Sequence, residues 1–278
     1  MKEKARINLN TIIVLVFLII CTIGVLYPVV YIVSAAFTPG STIALNIVPF
    51  GDGFTLEHFK HLFQNTNYPL WFKNTFIIAI STSISTVVLA SLGAYVFSRF
   101  RFTLKKSLMT ALLILQIFPS FIGMVAIYVI LLRIGGLDTL WGLVLVYVAG
   151  NIPYNTWLVK SYIDTIPRSL DEAAIIDGAS HFKTYLRIIL PAARPILTFL
   201  AIASFTAPWM DFIFPKLVLR SSHKQTLALG LFSFVTDKKN EFTVFAAGAL
   251  LVAVPFIIFF IATQKLLIES LGAAAVKE

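Results

Sequence analysis

Residues 171–191 read Asp-Glu-Ala-Ala-Ile-Ile-Asp-Gly-Ala-Ser-His-Phe-Lys-Thr-Tyr-Leu-Arg-Ile-Ile-Leu-Pro, and they gather much of the chemistry of a chain that is otherwise mostly apolar. Asp171, Glu172 and Asp177 are carboxylates on one short segment. They lack the neighbouring nucleophile or paired base that acid–base catalysis needs. What they do suit is charge-assisted hydrogen bonding to Arg or Lys of another surface. Ser169-Leu170-Asp171-Glu172 has the capping-box pattern, so a helix is expected over 170–177 with Asp171 and Glu172 at its positive end. Ala173 and Ala174 favour helix and add almost no bulk. Gly178 can adopt the left-handed conformation that stops it. A helix of about 12 Å is too short to hold itself together in water and must pack on something. A second helix is expected from Ser180, ending at Leu190-Pro191. Two environments fit this pattern. Lys183, Arg187 and Arg194 with interleaved aromatics suit a segment lying on a bilayer surface, whereas small residues flanked by carboxylates suit a cleft on a partner protein.

Other polar groups lie within apolar runs. Asp211 is the only acidic residue inside a candidate span, which makes it a functional candidate; pairing with Lys216 or Arg220 at an interface is the alternative. Asn151 and Asn155 are four apart and share a helix face. They can bind solute hydroxyls or tie helices together, and Gln116 has the same two readings. Tyr154, Trp157 and Trp209 suit either sugar stacking or an aromatic belt at the membrane interface. Glu57, His58 and His61 do not converge on a metal, because adjacent residues point apart on a helix; they read as surface groups and no metal site is expected. No glycine is followed by lysine, so the phosphate-cradling G-x-x-x-x-G-K loop is absent and ATP hydrolysis is not assigned to this chain.

The elements that must position these residues are membrane spans. The chain has 278 residues, 58% hydrophobic and 13% charged, about half the charged fraction usual in soluble domains. The single cysteine, Cys21, excludes an intrachain disulfide framework. The +9 net charge is better explained by basic residues that orient spans than by nucleic acid. Apolar runs predict an all-α polytopic protein with six transmembrane helices: within 12–37, 75–97 and 108–132, then about 140–159, 195–215 and 244–264. Pro28, Pro119, Pro153, Pro208 and Pro255 fall inside them and are expected to kink them. The first run is too long for a signal-peptide core, despite the basic Lys2, Lys4 and Arg6 before it and the small residues Ser34-Ala35-Ala36. With both termini on one side, the segments on that side hold 14 of the 22 basic residues, so both termini are expected to be cytoplasmic. Residues 171–191 then face the cytoplasm, between spans four and five. The joints 38–73 and 216–242 lie outside. One membrane domain over 1–278 is the simplest organisation.

Glu172-Ala173-Ala174, then Asp177-Gly178-Ala179, then Ile188-x-Leu190-Pro191 resembles the EAA loop of bacterial ABC importer permeases at each fixed position. Pro153-Tyr154-Asn155-Thr156-Trp157, Trp209-x-Asp211-Phe212, Thr226-Leu227-x-Leu229-Gly230-Leu231 and the tail Gly272-Ala273-Ala274-Ala275-Val276-Lys277 are similar to the carbohydrate branch, of the maltose and maltodextrin type. The resemblance covers nearly the whole chain. It implies a permease subunit, not an enzyme, in the cell membrane of a bacterium. Such a subunit pairs with a homologous second permease, two ATPase subunits and an extracytoplasmic sugar-binding protein, with ATP and Mg bound by the ATPase. The loop 165–192 would carry the coupling helix, with Glu172 pairing to a basic residue of the ATPase and Gly178 setting the bend. The tail 269–278 would reach the ATPase, and the joint 216–242 the binding protein. Asn151, Asn155, Asp211 and Gln116 would be candidates for the solute path. The remaining alternatives are another sugar or small solute in the same class, and a secondary transporter driven by an ion gradient.

Overall fold

The computed structural model describes residues 9–41, 51, 53–117, 120–236 and 241–275. Lys2, Lys4, Arg6, Pro49, Phe50, Asp52, Pro119, Lys238, Lys239, Val276 and Lys277 lie outside the described residues.

In chain order the helices are α1 (Leu9–Phe37), α2 (Glu57–Asn65), α3 (Tyr68–Arg99), α4 (Lys105–Ile117), α5 (Ser120–Arg133), α6 (Leu140–Asp164), α7 (Ser169–Ile176), α8 (His181–Thr184), α9 (Leu190–Ala192), α10 (Arg194–Met210), α11 (Ile213–Val218), α12 (Leu227–Thr236) and α13 (Phe242–Ala275). A π-helical turn, Tyr185–Ile189, joins α8 to α9, and a 3₁₀ turn, Ser222–Lys224, precedes α12. Among the described residues every regular element is helical.

Among the described residues, two helices are long and apolar enough to cross a membrane, Thr11–Phe37 and Tyr68–Arg99. The pair Lys105–Ile117 and Ile122–Arg133 passes only when taken together, as does the pair His181–Ala192 and Arg194–Met210, which bends by 80°. The expected fourth run is the continuous α6, though polar residues from Asn151 onward dilute its apolar character. The expected fifth run stops early. α10 ends at Met210, Asp211 is extended, and its Oδ1 accepts the Ile213 amide at 2.8 Å, pairing one of the amides that open the separate helix α11. Pro28, Pro153, Pro208 and Pro255 sit within continuing helices.

The chain forms two compact units. The first comprises residues 1–66 and 231–253. In it the most apolar stretch of α1 is wholly exposed, an apolar surface suited to lipid or another chain. Phe37 stacks on Phe54 with centroids 4.9 Å apart. His58, expected at the surface, is buried with its Nε2 2.8 Å from the Thr38 carbonyl. That carbonyl lies just past the end of α1, where helix geometry leaves oxygens unpaired.

The second unit comprises residues 67–230 and 254–278 and is built on α3 packed against α6 and α10. The buried face of α3 is a run of small residues three or four apart: Ala79, Thr82, Ser83, Thr86, Ala90, Ser91 and Ala94. Small side chains let helix backbones approach closely where lipid offers no hydrophobic drive. Ser83 Oγ donates to the Ala201 carbonyl at 2.9 Å, tying α3 to α10. Two clusters complete the core. One joins Ala90, Ala94, Tyr95, Val159, Ile163, Tyr185, Ile189 and Leu200; the other joins Ile78, Leu131, Leu143, Val218 and Leu219.

At the N-terminal end of α3 the 222–230 segment docks by hydrogen bonds. Trp71 Nε1 donates to the Ser222 carbonyl at 3.0 Å, Asn74 Nδ2 to the His223 and Gln225 carbonyls at 2.9 and 3.0 Å, and the Leu227 amide to Thr75 Oγ1 at 2.7 Å. Gly230 lies against the Trp71 indole so closely that a Cβ there would sit 2.2 Å from a ring carbon. Gly230→Ala should therefore destabilise the protein by about 1–3 kcal/mol through overpacking. A lowered thermal midpoint of the purified chain in detergent is the expected observation.

Candidate functional site

The segment 165–192 forms two helices around a left-handed glycine. α7 begins one residue earlier than expected. Its N-cap is Arg168, whose side chain makes no cap hydrogen bond, so the Ser169 capping box does not form. Asp171 is drawn elsewhere, as described below. The C-terminus closes as a Schellman motif: the Ala179 amide bonds the Ala174 carbonyl at 2.9 Å and the Gly178 amide the Ile175 carbonyl at 3.0 Å, with Gly178 at φ +80°. Ser180 caps the next helix, accepting from the Lys183 amide at 3.3 Å. That helix runs on through the π-helical turn and past Pro191 to Ala192, where it was expected to end at Leu190-Pro191. Pro191 follows directly on the π-helical turn, at the second residue of α9.

The two faces of α7 differ. Asp171 and Ala174, three apart, are buried. Glu172, Ala173, Ile175, Ile176, Asp177 and Gly178 are exposed, Ile176 at 85%. Within the expected coupling set, then, Ala174 packs inward while Glu172, Ala173 and Asp177 are presented outward. Ile188 and Leu190 pack against the cluster of Tyr185 and Ile189, Ala179 is half-buried, and Pro191 is exposed. Tyr185 anchors the segment: its hydroxyl lies 2.7 Å from Ser91 Oγ, and Tyr95 Oη donates to the His181 carbonyl at 3.2 Å.

Sequence reasoning missed the polar network beneath α7. Arg99, the last residue of α3, forms an ion pair with Asp171, Nε to Oδ2 2.9 Å, both side chains nearly buried. Its Nη2 donates to the Ile166 carbonyl at 2.9 Å. Ser98 Oγ donates to Asp164 Oδ1 at 2.6 Å, Arg168 Nη2 donates to the Ser98 carbonyl at 3.1 Å, and Lys160 Nζ bonds Asp164 Oδ2 at 2.6 Å. Burial pushes the Asp164 carboxyl up, but the hydrogen bonds from Lys160 and Ser98 win and hold it below its ordinary value. The mixed, unphased polarity of 160–171 carried no signal for the partners on α3, Ser98 and Arg99, which are 66 to 72 residues away; Lys160 and Asp164 are an i,i+4 pair within α6.

A cavity of about 950 Å³ opens among α4, α5, α6, α10 and α11, with Gln116, Asn151 and Asp211 all on its wall. Most of the rest is apolar: Leu115, Met124, Ile127 and Leu145 among others. The fourth candidate, Asn155, is not on that wall; it is buried and donates to the Asn151 carbonyl at 2.8 Å. Asp211 is paired neither with Lys216 nor with Arg220: its Oδ2 accepts from the Tyr147 hydroxyl at 2.8 Å. Arg220 lies over the Tyr128 ring and bonds the Tyr128 hydroxyl. Trp157 Nε1 donates to the Met109 carbonyl at 3.0 Å, tying α6 to α4. Trp209 is buried against Phe72, Phe205 and Phe256, so its indole is not free to stack on a solute.

Far from α7, Asp138 clasps the 218–224 segment. Its carboxylate accepts from the Arg220 and Ser221 amides, both at 2.9 Å, from Ser221 Oγ at 2.5 Å and from Lys224 Nζ at 3.2 Å. The Ser221 hydroxyl and amide, with the other donors, hold this carboxyl well below the usual carboxylate range. The residue itself has φ +53°, a strained conformation for a non-glycine side chain.

The model for "binding-protein-dependent transport system inner membrane component" matches residues 86–267. The chain belongs to that family. Among its relatives, the maltodextrin transport system permease protein of Bacillus subtilis (strain 168) is 40% identical over 270 residues, covering 97% of each chain. The galactooligosaccharides transport system permease protein of the same organism is 38% identical, covering 91% of this chain and 90% of that one. The maltodextrin permease of Streptococcus pneumoniae (strain ATCC BAA-255 / R6) is 35% identical, covering 99% and 98%. Among solved structures, a bacterial ABC transporter that imports the acidic polysaccharide alginate shares the fold, with TM-score 0.82 and 21% identity over 95% of this chain and 99% of that one. As an inner-membrane component the protein is a transport permease, and its family match contains the whole of α7 and the cavity.

The depressed carboxyl of Asp138 makes a pH prediction for this permease. Because the folded pKa lies below the unfolded one, the clasp contributes its full stability above about pH 4 and loses it as pH falls toward the folded pKa. Asp138→Asn should lower the thermal midpoint at neutral pH, and the gap to the unaltered chain should hold constant down to about pH 5 and then shrink as pH falls toward 3. A gap that widens on acidification would contradict the assignment.

Proposed function

We propose that this chain is a permease subunit of a binding-protein-dependent ABC importer that passes maltodextrin-type oligosaccharides inward. The observation that carries the reading is the 40% identity to a maltodextrin permease along 97% of the chain. The outward face of α7, with Glu172, Ala173 and Asp177, supplies the means of coupling. Two copies of an ATPase would bind ATP and Mg, and α7 would sit in a groove of one of them, Glu172 meeting a basic residue there. A homologous second permease would complete a heterodimer, and an extracytoplasmic sugar-binding protein would deliver the solute. No cofactor is assigned to this chain. One permease domain over residues 1–278 is the working unit, crossing the bacterial cell membrane six times with both termini in the cytoplasm. The loop 165–192 and the tail 269–278 then face the ATPase, and the joints 38–73 and 216–242 face outward.

Alternating access follows from this assignment. Closure of the ATPase pair moves the docked helix, and the spans exchange inward- and outward-open states, each favoured by different contacts. Gln116, Asn151 and Asp211 are the proposed polar positions on the solute path, with Asn155 supporting Asn151 from within α6. A galactooligosaccharide is the second reading, supported by the 38% identity to a permease of that name. The 30% identity range of the more distant maltose and maltodextrin permeases supports the first.

Affinity purification of the intact complex, with sugar binding measured on the co-purified binding protein, tests the assignment: maltodextrin binding supports it, and preference for a galactooligosaccharide replaces it. Glu172→Lys should abolish uptake and ATPase stimulation while leaving membrane insertion intact. Uptake in cells should stop on ATP depletion and survive a protonophore; the opposite pattern would favour an ion-gradient transporter.

A further inference from the structure

The network under α7 has a consequence beyond holding the helix in place. α7 is eight residues long, too short to transmit force unless fixed to something stiffer. The link from α6 to α7 is the four-residue stretch 165–168, with Pro167 in its middle. It would be a natural hinge. Instead it is pinned from α3: Ser98 bonds Asp164 before it, Arg99 Nη2 bonds the Ile166 carbonyl within it, and Arg168 bonds the Ser98 carbonyl at its end. The Arg99–Asp171 ion pair then fixes α7 itself at 2.9 Å. Among the described residues, Arg99 is the one basic group in ion-pair contact with Asp171. In a site this dry, separating the two strands a buried charge. α3 is 32 residues long, about 48 Å, and its other end holds the 222–227 segment through Trp71, Asn74 and Thr75.

We propose that Arg99 and Asp171 are positioning residues that lock the coupling helix to α3, so that displacement of α7 is carried along α3 to the 218–227 segment instead of being absorbed at 165–168. Neither residue touches solute or nucleotide. Their work is to make movement of the docked helix and movement of the far end of α3 one event. This rests on the reading that α7 docks on an ATPase.

The test uses the full complex, co-expressed with its second permease, ATPase and binding protein and reconstituted in vesicles, with labelled maltotriose as solute. Arg99→Gln and Asp171→Asn should retain ATPase co-purification and basal hydrolysis, while stimulation of hydrolysis by the binding protein weakens. Sugar delivered per ATP hydrolysed should fall by about 2- to 30-fold, the range seen when mutations alter coupling between distant sites. The exchange Arg99→Asp with Asp171→Arg should recover most of that ratio. If the single variants insert poorly, Arg99→Lys is read instead: it keeps the charge but loses the fork that also reaches Ile166, and its ratio should be intermediate. An unchanged ratio in the variants that assemble, or an exchange no better than the single changes, overturns the proposal. So does loss of ATPase co-purification to the extent produced by Glu172→Lys, since that would make the pair part of the docking surface. Failure of the docking reading looks different: Glu172→Lys would itself leave co-purification and uptake intact.

Discussion

The close approach of α3 to α6 and α10 is the constraint on which the rest of the second unit depends. In a lipid environment two helices gain little by merely hiding apolar surface from water, so their contact must come from short backbone distances and interhelical hydrogen bonds. The seam from Ala79 to Ala94 supplies the first and Ser83 to Ala201 the second. Larger residues there would move the helices apart. Ser98 and Arg99 would then lose their reach to Asp164, Ile166 and Asp171, and the hydroxyl contact between Ser91 and Tyr185 would be lost as well.

Both ends of α3 are therefore working ends. One receives the amphipathic segment of α8 and the π-helical turn, where Tyr185 and Ile189 fill the core and Tyr95 bonds the His181 carbonyl. The other receives the 218–230 segment through side chains that bond backbone carbonyls, assisted by the Asp138 clasp. Polar side chains bonding backbone at both ends satisfy groups that would otherwise be stranded away from water. They also leave the outward face of α7 free of internal duties. Glu172, Ala173 and Ile176 remain exposed because Asp171 and Ala174, three apart, take the inward contacts.

The cavity fits the same economy. It lies where α10 breaks at Asp211, whose carboxylate accepts the first amide of α11. A single residue therefore ends a helix, accepts from Tyr147 and adds a polar group to an otherwise apolar wall. A break in a helix within a membrane protein is tolerated where it borders a cavity, and Asp211 lies on the cavity wall.

How much of this was legible without coordinates differs by feature. The all-helical class follows from apolar runs too long and too poor in charge for any other arrangement. The short helix and its glycine stop follow from local chemistry, because Gly178 alone among neighbouring residues takes φ +80° without strain. The E-A-A to I-x-L-P spacing identified the family for the same reason: it is local and contiguous. The pairing of Arg99 with Asp171 was not legible, nor was the diversion of Asp211 to Tyr147 or the burial of His58. Each depends on a partner brought near by chain folding across tens of residues. Composition and periodicity report which residues can pair. Only the tertiary packing decides which of them do, since it sets the distances over which a hydrogen bond or an ion pair can form.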